Sequence, residues 1–189
     1  MRIYLITHAH TEQIPHVAID AWQLSARGIQ QATELAKASF WAEIDRVVMS
    51  SEPKTWLTVA HIVQARKLPV WIDCRFDELR RSGWFEDYAA QVAKVFAQPT
   101  QSVSGWEPAS SAQQRAQQGL ADLQRRFPGE TLALVGHGIS LSLVHAGLLG
   151  LAQVDHEVWQ RLSFGTYAVA SLAPPAIIQD FAQSKNTVR

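Results

Sequence analysis

The chain opens on a short apolar run, Arg2–Ile6, that passes directly into the polar stretch Thr7-His8-Ala9-His10-Thr11. Similar runs recur at Arg46–Met49, Val70–Ile72, Thr131–Val135 and Tyr167–Leu172. The first, second and fourth lack clean alternation of apolar and polar residues, the pattern of strands covered on both faces. Helical periodicity fills the intervals. Residues 27–39 place Ile29, Ala32, Leu35 and Ala36 on one face, and Pro53 opens a predicted helix to Arg66 with Trp56, Val59, Ala60 and Val63 together. Glu86–Ala97 and Ser110–Phe127 also read as helices, the latter stopped by Pro128-Gly129. A last one begins at Gly138 and carries Leu141, Val144, His145 and Leu148.

Strands alternating with helices predict an α/β fold, a three-layer α/β/α sandwich around a mostly parallel central sheet. The 189 residues are expected to form a single domain, with a helical excursion around residues 84–127 and a polar C-terminal tail. In such sheets ligands bind beyond the carboxyl ends of the strands, so the residues after each strand are the ones to inspect.

Composition narrows the partners. The formal net charge is zero and no basic stripe or polybasic segment stands out, which argues against nucleic acid and a membrane surface. No apolar run reaches the length of a signal peptide core or a membrane span, so a cytoplasmic location is expected. The single cysteine, Cys74, excludes an internal disulfide and a multi-cysteine metal site.

Chemistry gathers at the strand ends. After the first strand come His8, His10 and Thr11; after the second, Ser50-Ser51-Glu52-Pro53-Lys54; after the third and a short loop, Asp77-Glu78; after the fourth, Gly136-His137-Gly138. Histidines, a lysine, hydroxyl side chains and carboxylates on one sheet edge suit phosphoryl transfer: a nucleophile, donors around phosphate and a proton source for the leaving oxygen.

These motifs, in this order, resemble the histidine phosphatase (phosphoglycerate-mutase-like) superfamily. Its Arg-His-Gly-x-Thr opening is matched by Thr7-His8-Ala9-His10-Thr11. Its Leu-Thr-x-x-Gly-x-x-Gln-Ala segment is matched by Leu24 to Ala32, with Ser25 replacing threonine and an altered glutamine spacing. Ser50 to Lys54, with Thr58 and Ala60 downstream, resembles the second-strand motif in a lysine-bearing form, Glu78 falls at the acid/base carboxylate, and Leu134-Val135-Gly136-His137-Gly138 resembles the late histidine motif. The resemblance implies catalytic roles for His8, Glu78 and His137. His8 would attack phosphorus, Glu78 would protonate the leaving oxygen and then help activate water, and His137 would donate to phosphoryl oxygens. Thr7, Lys54 and Thr11 would contact phosphate. No metal and no cofactor are implied, and the partner is a small phosphorylated substrate or phosphate itself.

Two departures bear on activity. The arginine expected before the nucleophile is Thr7, and the second phosphate-binding arginine is Lys54, a point charge rather than a bidentate fork. Losing a unit charge about 4 Å from phosphate costs roughly 4 kcal/mol at an effective dielectric near 20, or about a thousandfold in rate if felt wholly in the transition state. Arg75, Arg80 and Arg81 flank Glu78 and are the candidates to restore it.

Other readings are weaker. His8-x-His10 also resembles a metal-binding pair of amidohydrolase barrels, but such barrels run to about 250 residues and further ligands are missing. Cys74-x5-Arg80 has the outline of a cysteine phosphatase loop, yet Asp77 and Glu78 inside it would repel phosphate, so Cys74 is expected to be a small buried residue. Gly136-His137-Gly138-Ile139-Ser140 lacks the central serine of a nucleophile elbow. His10 is expected to face solvent, and His61, His145 and His156 to be structural or superficial. Asp77 is the alternative carboxylate to Glu78, and Lys54 at a helix start has the alternative of simple solvation. Glu107 would either line the pocket or cap a helix. Trp84 and Trp106 would border an entrance suited to an apolar substrate, with buried packing as the alternative. The apolar stretch Pro174–Ile178 would pack internally or pair with another subunit, as in a homodimer. The leading expectation is a small phosphomonoesterase with a phosphohistidine intermediate, ahead of a mutase; a noncatalytic phospho-ligand binder is the contrasting class.

Overall fold

The computed structural model describes residues 1–14, 17, 18, 21–81 and 85–182. Its strands are β1 (Arg2–Thr7), β2 (Arg46–Met49), β3 (Val70–Ile72), β4 (Leu132–Gly136), β5 (Tyr167–Leu172) and β6 (Pro175–Gln179). Its helices are α1 (Ala26–Ala36), α2 (Pro53–Arg66), α3 (Tyr88–Ala97), α4 (Ala109–Arg126), α5 (Gly138–Leu148) and α6 (His156–Arg161), with 3₁₀ turns at Ser39–Glu43 and Cys74–Phe76. The strands form one six-stranded sheet in the order β3-β2-β4-β1-β5-β6. The four strands from β3 to β1 run parallel, and β5 and β6 complete the sheet antiparallel. The predicted α/β sandwich with its mostly parallel sheet is the architecture observed.

Period-two geometry assigns the two faces. Ile3 and Leu5 of β1 point into a core shared with Leu120 and Leu123 of α4 and Leu141 and Val144 of α5. Tyr4 and Ile6 point the other way, into a core shared with Leu35 of α1 and Val59 and Val63 of α2. Both sides of β1 are therefore dry, which explains the unbroken apolar run; full burial of each large aliphatic side chain is worth about 1.5–3 kcal/mol. A third cluster, around Trp106, Trp159, Val92 and Phe96, packs α3 and α6 beside α4 and α5.

Several sequence expectations shift. The helix expected over 27–39 ends at Ala36, and Ile29 is exposed rather than buried with Leu35. Trp56 is likewise partly exposed, while Val59 and Val63 carry the buried face of α2. Cys74 is exposed, correcting the expectation of a buried cysteine. The Pro174–Ile178 stretch lies along β6, paired with β5, so it completes the sheet within the chain. Trp84 and the C-terminal tail from residue 183 lie outside the described residues. Among the described residues no helix is long and apolar enough to cross a membrane.

Local signals explain the starts of α1 and α2. Ser25 caps α1 by accepting the Gly28 N–H at 3.1 Å, and Pro53 occupies the first turn of α2. Gly28 also permits a close approach: a Cβ there would lie 2.0 Å from the His10 carbonyl oxygen. Alanine would gain about 1 kcal/mol in helix propensity, but the obstacle is backbone, which cannot swing aside, and overpacking costs about 1–3 kcal/mol or more. The clash wins. Gly28→Ala should therefore lower stability in urea unfolding, and an unchanged or raised midpoint would contradict this packing.

Candidate active site

Strands β1 and β4 pair in parallel up to Thr7 opposite Gly136, so the residues that follow emerge side by side. The His8 N–H donates to the Gly136 carbonyl at 2.9 Å, and the His8 and His137 rings lie 5.1 Å apart edge to face. The turn after His8 is pinned from α2: Thr58 accepts the Ala9 N–H at 2.9 Å while donating its own proton to the Lys54 carbonyl at 2.8 Å. His8 Nδ1 sits 2.7 Å from the Ala9 carbonyl oxygen. A carbonyl can only accept, so Nδ1 carries a proton and, in the neutral ring, Nε2 carries the lone pair.

His8, Thr11, Lys54, Glu78 and His137 together line a cavity of about 250 Å³. Part of its wall is aromatic, with Trp22, Phe85, Tyr88, Trp106 and Phe164, and acidic residues Glu86 and Asp87 also line it. Lys54 is only 3% exposed, which rules out the simple solvated lysine. The Glu78 carboxylate accepts N–H groups from Ile139 at 3.2 Å and Ser140 at 2.9 Å, capping the α5 N-terminus from outside the helix. Asp77, the alternative carboxylate, is engaged by the Ser51 N–H and hydroxyl instead.

The structure separates the arginines. Arg75 forms a fork with Asp73 and also reaches Asp122, and Arg80 does not line the cavity. Arg81 does, with its guanidinium over the Tyr88 ring at 4.9 Å and bonded to the Tyr88 hydroxyl. Arg81 is the flanking arginine that brings positive charge to the cavity.

One expected ligand is corrected. Thr7 does not line the cavity; its hydroxyl donates to the Ser163 carbonyl at 2.9 Å and accepts the Thr166 N–H at 3.1 Å. A hydroxyl has one proton, and here it braces the segment leading into β5 rather than a phosphate. His10 is partly buried rather than solvent-facing, with Nδ1 2.8 Å from the Ser25 hydroxyl oxygen. Glu107 neither lines the pocket nor caps its helix; it pairs with Arg115. Trp106 lines the cavity but is 1% exposed and packs in the third core cluster. Among the described residues no group of three or more His, Cys, Asp or Glu side chains is arranged to hold a metal.

Glu52 is the residue that sequence reasoning passed over. Its carboxylate lies 2.8 Å from Lys54 Nζ and 3.4 Å from His137 Nε2, and it accepts the Glu78 N–H at 2.9 Å. It was visible as the acidic residue two places before Lys54, but at helix spacing alone it reads as an ordinary first-turn carboxylate. Lys54 and Glu52 thus form a largely buried pair.

His137 is buried, with Nε2 2.7 Å from the Ser50 hydroxyl oxygen. Burial, reinforced by the positive charges of Lys54, Arg81 and Arg115, holds its pKa well below the ordinary histidine value, so the ring is neutral. The unfolded chain therefore binds the additional proton once pH drops below about 6.5. The sign is fixed by that difference: stability falls as pH falls through this value, and is retained above it. His137→Gln should reduce the loss of urea stability between about pH 7.5 and about pH 5. An equal loss in both proteins would show that His137 does not contribute.

Comparison with known proteins finds relatives by sequence and by fold. A phosphoserine phosphatase 1 from Hydrogenobacter thermophilus is 24% identical over 163 residues, covering 80% of this chain and 77% of that protein. The fold matches Bacillus stearothermophilus YhfR with a TM-score of 0.78 at 18% identity, covering 98% of both chains. It also matches the α-ribazole phosphatase of Shigella flexneri, with a TM-score of 0.72 at 22% identity over 100% of this chain and 99% of that one. A mycobacterial glucosyl-3-phosphoglycerate phosphatase aligns with a TM-score of 0.76 at 18% identity, over 98% of this chain and 99% of that one. Residues 3–173 match the sequence profile of the histidine phosphatase superfamily (branch 1), and the chain belongs to that superfamily.

Proposed function

We propose that the protein is a phosphomonoesterase that works through a phosphohistidine on His8. The observation that carries this reading is the 2.7 Å contact of His8 Nδ1 with the Ala9 carbonyl, which leaves Nε2 as the nucleophilic nitrogen beside Lys54, Glu78 and His137. Nε2 attacks phosphorus as the ester P–O bond breaks, and protonated Glu78 gives its proton to the departing oxygen. Water then attacks the phosphohistidine, passes a proton to the Glu78 carboxylate and releases phosphate and His8. Lys54 and Arg81 offset the charge of the phosphoryl group, and Thr11 and neutral His137 supply hydrogen-bond donors. These steps draw on protein groups alone. The substrate class is a small phosphorylated molecule whose alcohol portion meets the aromatic wall; relatives named above as phosphatases support that class.

A second reading, a noncatalytic binder of phosphorylated ligands, is favoured by one specific observation. Glu52 already occupies Lys54, while Thr7 supplies no charge. An incoming phosphate must compete with an internal carboxylate.

Phosphate release from a panel of phosphomonoesters separates the two. Release by the intact protein that falls at least about a hundredfold in His8→Ala supports the phosphatase; release that survives this substitution overturns the mechanism, and ligand binding without release supports the second reading. Glu52→Gln tests the competition directly. It removes one carboxylate from beside the buried ammonium, a loss worth up to about 3–5 kcal/mol, so inorganic phosphate should protect this variant against heat more than it protects the parent. Equal protection would show that Glu52 does not compete.

A further inference from the structure

Glu78 lies in irregular chain that follows the Cys74–Phe76 turn. A proton donor must meet the leaving oxygen within about 2.6–3.2 Å, and a loop does not hold that tolerance unaided. One of the groups that hold it here lies outside the cavity. Arg115, midway along the 18-residue helix α4, directs Nη1 to the carbonyls of Arg75 at 2.7 Å and Asp77 at 2.9 Å. Its Nη2 reaches the Glu78 carbonyl at 3.0 Å. The remaining donors form a fork with Glu107, Nε to Oε1 and Nη2 to Oε2, both at 3.0 Å. All five N–H groups of the guanidinium are thereby engaged.

Glu107 extends the clamp. It accepts the Arg80 N–H at 3.0 Å, and its own N–H donates to the Arg80 carbonyl at 2.8 Å. The backbone is thus held on both sides of Glu78, from Arg75 to Arg80. Burial alone would push the Glu107 carboxyl up, but the Arg115 fork and the Arg80 N–H hold it below the usual range, so the pair is ionic near neutrality. The side chains of Arg115 and Glu107 are 13% and 11% exposed, and neither lines the cavity. Neither is placed to touch a substrate there.

We propose that Arg115, locked by Glu107, is the positioning residue that sets where the Glu78 carboxylate meets the leaving-group oxygen. The proposal rests on Glu78 being the proton donor, as inferred above. A planar fork is essential to it, because a lysine ammonium cannot reach three carbonyls and a carboxylate from one point.

The test uses Arg115→Lys, Glu107→Gln and Glu78→Gln, each assayed with p-nitrophenyl phosphate and β-glycerophosphate. The nitrophenolate departs with little protonation, whereas the glycerol alkoxide needs the acid. Arg115→Lys keeps the positive charge near His137, so its effect reports geometry. The expected result is a fall in kcat/KM, which reads phosphoryl transfer to His8 and not the hydrolysis step common to both esters, of about tenfold or more for β-glycerophosphate but under about threefold for p-nitrophenyl phosphate, in both clamp variants. Glu78→Gln should show the same split more strongly. Equal losses with both esters in the clamp variants, beside a split in Glu78→Gln, overturn the positioning role alone. No split in Glu78→Gln, or no hydrolysis by the parent, overturns the proton-donor reading and the positioning role with it. Amide hydrogen exchange provides a check without substrate: residues 78–80 should exchange faster in Arg115→Lys while the core strands stay protected, and unchanged rates overturn the clamp. Glu107→Gln, nearly isosteric, carries both measurements if Arg115→Lys does not fold.

Discussion

The parallel pairing of β1 with β4 is the constraint on which the site depends. Parallel strands cannot be joined by a tight turn, so residues far apart in sequence become neighbours only through the crossovers that build the sheet. Here the register runs from Ile3 opposite Leu132 to Thr7 opposite Gly136, and both strands stop at the same level. His8 and His137 then leave the sheet together, and α5 starts at Gly138 with its amides turned to the Glu78 carboxylate. A one-residue slip would send each β1 side chain to the opposite core and separate the two rings.

On its other side β1 pairs with antiparallel β5, and the segment before β5 folds over the strand end. That neighbour accounts for Thr7. Its hydroxyl joins the Ser163 carbonyl and the Thr166 amide, and the Gly165 N–H donates to the His8 carbonyl at 3.1 Å. Phe164 lies against both His8 and His10. Thr7 thereby braces the backbone that leads out of β1 at His8, while positive charge enters the cavity through Arg81 from a different loop.

The electrostatics follow from burial. A lone ammonium at the depth of Lys54 would carry a desolvation cost of several kcal/mol, and a carboxylate 2.8 Å away offsets it. The same Glu52 also holds the Glu78 amide, so charge balance and loop geometry are joined in one side chain. Glu78 is constrained from three directions: through its amide by Glu52, through its carbonyl by Arg115 and through its carboxylate by α5.

The amino-acid sequence alone determined the layered α/β fold, because apolar runs and 3.6-residue periodicity are local properties of the chain. It also marked His8, Lys54, Glu78 and His137, because each follows a strand and stands in a recognisable motif; the structure brings all of them, with Thr11, around one cavity. What tertiary structure decided was pairing and direction. Nothing near Thr7 reveals that its hydroxyl turns toward residues 163 and 166, and nothing around residue 81 distinguishes its arginine from Arg75 and Arg80. Glu52 looks like a first-turn carboxylate until β2 and β4 place His137 beside it, and Arg115 looks like a polar residue on an amphipathic helix until the loop at residues 75–80 closes over its guanidinium. Periodicity specifies which face a residue occupies. It cannot specify which distant carbonyl or charge that face will meet, because that partner is chosen by the crossovers of the sheet.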